Sequence, residues 1–363
     1  MRNYSCVVVL GPTAVGKTSI AVNIADRLGG EVISADSRQV YRGLDIGSGK
    51  DLCDFTLKDG KGERTVPYHL IDITDLKSEF SVFDYQAAFY NVFPTITERG
   101  ILPVVCGGTG MYLDAVVRGY DLVGVPCNPA LRTSLNGKSD AELVAYLREL
   151  KAESGEELHN TTDTIERHRI LRAIEIAVYE KAHGGAVNAD ESAVDAPASE
   201  SGSAGATSES VEAGLRDPLD PARAEDKYMP PRPDIRPFII GTTFPRDMLR
   251  AGIKKRLVKR FDEGMIEEVA GLHENGASWD RLERLGLEYR FISEYLEGKI
   301  KTKDELVEKL YIAIGQFAKR QETWFRRMEK QGTVIHWLPY EGTDYARSVE
   351  GRTQMALSLI EEA

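Results

Sequence analysis

Eight residues near the start of the chain, "GPTAVGKT", have the make-up of a loop that holds phosphates. Gly11, Pro12, Thr13, Ala14, Val15, Gly16, Lys17 and Thr18 fit Gly-x4-Gly-Lys-Thr. In that pattern the glycines let the backbone curl until its amide hydrogens converge on phosphate oxygens. A helix beginning at Lys17 adds its partially positive end. Lys17 supplies a point charge, and Thr18 a hydroxyl suited to Mg2+. The pattern is specific for a phosphate chain and silent about the reaction. Most such loops serve hydrolysis or transfer of a nucleotide phosphate, ATP above all.

Two other stretches carry reactive groups. "SADSRQVYRGLDIGSGK" (Ser34 to Lys50) places Asp36 just after an apolar run. Asp36 could orient an acceptor, help hold a metal, or act as a general base if an acidic proton lies within hydrogen-bond reach. An Asp in that place also caps a helix. "GGTG" (Gly107 to Gly110) puts the hydroxyl of Thr109 on a tight turn.

The elements around these residues must bring them together. "YSCVVVLGP", "EVISADS", "ILPVVCGGTG", "RPFIIGTTF" and "VIHWL" are short apolar runs of strand type. "KTSIAVNIADRLG" has helical spacing and ends in Gly. "SVFDYQAAFYNVFPTITERG" reads as a helix that Pro94 kinks or breaks. Alternating strands and helices predict an α/β fold, a P-loop parallel sheet flanked by helices, with a smaller helical insertion domain. Ligands on such sheets bind at the carboxyl ends of the strands, where the Gly11–Thr18 loop, Asp36 and Thr109 all fall.

The predicted division is 1–119 for the first part of the core, 120–184 for the insertion and 236–363 for the mostly helical remainder of the core. In that remainder, "RDMLRAGIKKRLVKRFDEGMIEEVAGL" and "DELVEKLYIAIGQFAKRQETWFRRMEKQ" each read as one long helix. Residues 185–235 are expected to be an acidic, low-complexity, disordered segment. Ala186–Asp226 holds ten Asp or Glu against two Arg, and so most of the net charge of −11. The acidity therefore does not exclude a local basic surface. Cys6, Cys53, Cys106 and Cys127 have neither disulfide nor zinc spacing, as in a reducing cytoplasm. No apolar run spans a bilayer, and no signal peptide is expected.

The motifs occur in the order GPTAxGKT, ISxDSxQxYxxxDIGxxK, PxHLIDI and PxxxGGTGxY. "HRILRAIEI", "RDMLRAGIKKRLVKRFDEGMIEEV" and "KRQETWFRR" follow. Together they resemble the tRNA dimethylallyltransferases, over most of the chain apart from the acidic segment and the last twenty or so residues. The resemblance implies a Mg2+-dependent enzyme; a cytoplasmic monomer without a membrane partner is expected beside it. It would transfer a dimethylallyl group from dimethylallyl diphosphate to the amine of an adenosine beside the tRNA anticodon. The loop then holds the donor's diphosphate, and no phosphoryl group moves. Carried over residue by residue, Thr13, Gly16, Lys17 and Thr18 contact the diphosphate and Arg256 adds a cation. Asp36 takes the amine's proton, and Thr109 lies between the two substrates. Asp36, Ser37, Arg38, Gln39, Thr109, Arg132, His168, Arg169, Arg172 and Arg290 face the tRNA. The chain departs from the family in reading "GLEYR" at Gly286 to Arg290, and in having Gly252 where an Arg is usual. Rivals are an isopentenyltransferase for free adenine nucleotides, a P-loop kinase of small molecules, and an RNA-binding module without catalysis.

Overall fold

The computed structural model describes residues 3–59, 62–122, 124–153, 167–183, 228–341 and 344–363. The acidic segment Ala186–Asp226 lies outside them. Two units are distinguished. One comprises residues 1–76, 88–119 and 230–363, the other residues 77–87 and 120–229.

The first unit is built on a sheet. In chain order its first elements are β1 (Cys6–Leu10), α1 (Lys17–Leu28), β2 (Gly30–Ala35), the hairpin β3 (Thr56–Asp59) and β4 (Gly62–Thr65), and β5 (Tyr68–His69). Then come α2 (Val82–Thr97), whose start belongs to the second unit, β6 (Leu102–Gly107) and α3 (Gly110–Arg118). The second unit follows with α4 (Pro129–Leu135), α5 (Asp140–Glu153) and α6 (Arg167–His183). The chain returns to the first unit with β7 (Pro237–Gly241), α7 (Arg246–Asp262), α8 (Met265–Glu274), α9 (Trp279–Arg284) and α10 (Leu287–Leu296). It closes with α11 (Lys303–Lys330), β8 (His336–Trp337), α12 (Asp344–Arg347) and α13 (Val349–Glu361).

Six strands form one parallel sheet in the order β5-β2-β6-β1-β7-β8. Every residue of β1, β2 and β6 is buried, which is why these strands read as continuous apolar runs rather than as alternating ones. α1 covers the sheet with Ile20, Ala21, Val22, Ile24 and Ala25. Register then does the positioning. Leu10 at the end of β1 and Ala35 at the end of β2 both pair with Gly107 at the end of β6. Three strands stop at one level, and the loops that leave them begin side by side. The backbones are close there: a Cβ on Gly107 would stand 2.1 Å from the Ala35 carbonyl oxygen.

Two expectations need correction. The stretch from Arg246 to Leu272 is two helices, because Gly264 takes φ 96° and starts α8 afresh. α2 passes through Pro94 without breaking. Pro94 removes one amide from the ladder close to the end of the helix, and buried Phe89 and Phe93, stacked on each other, pack the same stretch into the core. The hairpin β3–β4, β5, α9, α10 and α13 have short or mixed patterns, and the sequence signal did not reveal them.

The second unit packs α4, α5 and α6 around Leu131, Leu135, Leu143, Leu147, Ile170 and Ile174. Asn128 caps α4 by accepting from the Leu131 amide at 2.9 Å, with Pro129 in the first helical position.

Candidate active site

The loop after β1 is shaped by residues in left-handed backbone, Ala14 at φ 64° and Gly16 at φ 76°. Gly16 starts α1 with no side-chain cap, so the first-turn amides are left for a ligand. Lys17 folds back, its Nζ donating to the Pro12 carbonyl at 2.6 Å. Burial pushes the Lys17 ammonium down to about 8, Arg256 adds to the shift, and Asp36 opposes it.

Facing the loop, α7 presents two guanidiniums one turn apart. Arg256 Nη1 donates to Thr13 Oγ1 at 3.1 Å. Burial and the charge of Arg260 lower Arg256 to about 10, so it remains a cation at neutral pH. Arg260 Nη1 donates to the Gly47 carbonyl at 3.1 Å, while its Nη2 is buried without a hydrogen-bond partner. Both side chains lie across Gly49, at φ 66°. A Cβ there would fall 1.5 Å from Arg260 Nη2 and 1.8 Å from Arg256 Nη2. The "DIGSGK" stretch is thus a backbone seat for two arginines. Glu268 holds it in place, accepting from the amides of Asp45, Ile46 and Gly47 at 3.0, 2.5 and 3.0 Å. Lys50, buried, pins its far end to Asp45 and Asp72.

The third wall follows β2 and β6. Asp36 Oδ1 accepts from the Arg38 amide at 2.9 Å, an Asx turn that fixes the carboxylate. Its Oδ2 has no hydrogen-bond partner among the described residues. Thr109 Oγ1 accepts from the Ser37 amide at 3.1 Å, tying the two strand ends together. Gln39 bonds Ser34 and the Gly49 carbonyl. Arg38 donates to the Leu285 carbonyl at 3.1 Å and lies 5.6 Å over Phe317.

These walls enclose one cleft. Of the residues the sequence singled out, Thr13, Lys17, Thr18, Asp36, Arg38, Gln39 and Arg256 line it. Ser37 and Thr109 support it from behind, and Gly11, Pro12, Ala14, Val15 and Gly16 shape the loop. Arg290 sits on α10 with its Nε donating to Glu294 at 2.9 Å. Arg132, His168, Arg169 and Arg172 belong to the second unit. There Arg132 makes a two-pronged pair with buried Glu175 at 2.7 and 3.0 Å. Arg172 reaches the same carboxylate at 3.3 Å and donates to the Val125 carbonyl at 2.7 Å. Burial alone would raise the Glu175 pKa, but these two arginines lower it. Both guanidiniums therefore have an internal task that their spacing did not suggest. Trp324 and Phe325 are buried in the core.

Arg260, Glu288 and Gln321 also line the cleft, and the sequence reading missed them. A signal existed for Gln321. On α11 the buried residues Leu306, Leu310, Ile314, Ala318, Gln321, Phe325 and Met328 recur every three or four positions. A polar residue in an apolar stripe marks a buried polar contact.

Among the described residues no cluster of His, Cys, Asp or Glu could by itself hold a metal ion. The donor set still suits Mg2+, which takes one or two protein oxygens and fills its remaining positions with phosphate and water. Thr18 offers such an oxygen beside Lys17. No helix among the described residues is long and apolar enough to cross a membrane.

The chain is similar to known proteins over most of its length. The family model described as IPP transferase matches residues 39–328, and that described as Isopentenyl transferase matches residues 4–58. A protein named tRNA dimethylallyltransferase 2 from Treponema denticola is 48% identical over 92% of this chain and 96% of its own. A tRNA dimethylallyltransferase from Treponema pallidum is 45% identical over 93% of this chain and 91% of its own. The crystal structure of a tRNA isopentenylpyrophosphate transferase from Bacillus halodurans superposes with a TM-score of 0.60 and 29% identity, covering 99% of this chain and 98% of that one. Matched by that family model over most of its length and 48% identical to a relative that it covers almost completely, the chain belongs to the IPP transferase family.

Proposed function

We propose that this chain transfers a dimethylallyl group from dimethylallyl diphosphate to the N6 amine of adenosine 37, next to the anticodon of a tRNA, and releases diphosphate. The observation that carries the reading is the composition of this cleft. Lys17, the uncapped start of α1 and Arg256 gather positive charge on one side, and Asp36 holds a carboxylate oxygen without a hydrogen-bond partner on the other.

The bond between the allylic carbon and the diphosphate oxygen breaks as the amine nitrogen bonds to that carbon. The electron pair of the broken bond leaves with the diphosphate. Lys17, Arg256 and the loop amides stabilise that growing charge. Asp36 Oδ2 receives the proton the amine loses. Mg2+, held by Thr18 and the diphosphate, would add further positive charge to the leaving group. The target base lies in a single-stranded loop, where turning it out of the stack costs little. We place the reaction in the cytoplasm, with the chain acting as a monomer.

The deciding experiment incubates the protein with unmodified tRNA, labelled dimethylallyl diphosphate and Mg2+, then digests the RNA. Prenylated adenosine supports the reading. Label on free AMP alone, or no label at all, refutes it.

A pH effect follows from Lys17. Its ammonium is lowered to about 8, so the donor-free protein loses this charge as pH rises through that value. A diphosphate binds the protonated form better, so kcat/KM for the donor should fall above about pH 8. In Lys17→Arg the fall should vanish, since a guanidinium keeps its proton there. A wild-type profile flat to pH 9.5 would contradict this assignment.

A further inference from the structure

Gln321, 7% exposed, lies where the apolar stripe of α11 passes the cleft. Its Oε1 accepts from the Thr13 amide at 2.9 Å, and its Nε2 donates to the Gly108 carbonyl at 2.7 Å. A carboxamide has one accepting and one donating end, and here each end serves the backbone of a different loop. The first loop holds the donor's diphosphate. Thr13 also receives Arg256, so its placement sets that guanidinium as well. The second loop carries Thr109, which grips Ser37 beside Asp36. The fit is close: a Cβ on Gly108 would stand 2.5 Å from Gln321 Nε2.

We propose that Gln321 is a positioning residue for prenyl transfer. It sets the separation between the diphosphate loop and the turn that aligns Asp36, and it need not touch either substrate. This rests on the functional reading above. The two hydrogen bonds divide the work. The bond to Thr13 orders the loop for the diphosphate. The bond to Gly108 places the acceptor side, and so governs turnover.

Two variants separate these roles. Gln321→Met keeps the length of the side chain and removes both polar ends. Its affinity for inorganic pyrophosphate should fall about 10-fold and its kcat about 10- to 100-fold, as expected for a displaced reacting geometry. Gly108→Ala presses chiefly on Nε2, since its Cβ would stand 2.5 Å from that atom and 3.3 Å from the Gly11 carbonyl oxygen. It should lower kcat by a similar factor, about 10-fold or more, and leave pyrophosphate affinity within about 3-fold of wild type. Combining the two should cost no more than about 2-fold beyond Gln321→Met alone, because the second change removes a bond already lost.

Thermal melting shows that each variant is folded before it is assayed. If Gln321→Met does not fold, the contrast between kcat and pyrophosphate affinity in Gly108→Ala decides by itself. The proposal is overturned if Gln321→Met binds pyrophosphate like wild type, if kcat is unchanged in Gly108→Ala, or if the kcat losses simply multiply. A wild-type chain that transfers no prenyl group sinks the functional reading, and the pyrophosphate measurements still decide the role of Gln321 at the loop.

Discussion

Asp36→Asn should lower kcat by roughly 10²–10⁴-fold, the range spanned by a lost general base. Asparagine keeps the shape of the side chain, and its carbonyl oxygen can still accept from the Arg38 amide that the Oδ1 atom holds at 2.9 Å. The Asx turn and the fold should therefore survive. What disappears is the capacity of the other oxygen to take a proton. Inorganic pyrophosphate should bind the variant at least as well as wild type, because Asp36 offers no donor to an anion and the variant removes a negative charge that acts on Lys17 and Arg256. Steady-state turnover on tRNA with a parallel pyrophosphate titration measures both. Turnover near wild type would reduce Asp36 to a turn-forming residue and leave proton removal to solvent.

Lys17→Ala and Arg256→Ala should each cost about 3 kcal/mol in kcat/KM for the donor, on the order of 10²-fold, as one lost electrostatic donor at a developing charge does elsewhere. The two cations reach the loop differently. Lys17 is part of the loop and rests on Pro12, while Arg256 arrives from α7 and rests on Thr13. Both are held in the free protein at a cost, since burial lowers the pKa of each. An anion between them relieves that cost, which is why the loss should appear in donor kinetics rather than in folding. Tight-binding measurements with tRNA alone should show little change. A variant that loses tRNA affinity and keeps its donor kinetics would move that residue from the diphosphate to the RNA.

The paired arginines and the glycine beneath them show how far spacing can be read. "DIGSGK" belongs to the motif order that carries the resemblance, yet nothing local shows that Gly49 exists to admit Arg256 and Arg260 from more than 200 positions away. Arg132 and Arg172 show the converse. Basic residues on a helical pattern suit phosphates, but both here close on Glu175, a carboxylate that an apolar helix face had hidden. A charge has no fixed task until its partner and its burial are known.

What the sequence determined by itself is local in its physics. Gly16 and Lys17 specify a phosphate-type loop because its shape depends on a few neighbouring backbone angles. Buried parallel strands announce themselves because both of their faces must be apolar. The motif order was enough to indicate the family. Only the tertiary structure added Arg260, Glu288 and Gln321 to the loop and Asp36 that the strand ends had already brought together. The Leu10, Ala35 and Gly107 register brings three strand ends level, and Gln321 joins loops that lie 308 and 213 positions from it. Such contacts follow from packing a sheet between helices, where the satisfaction of each buried polar group depends on distant chain that no window of sequence contains.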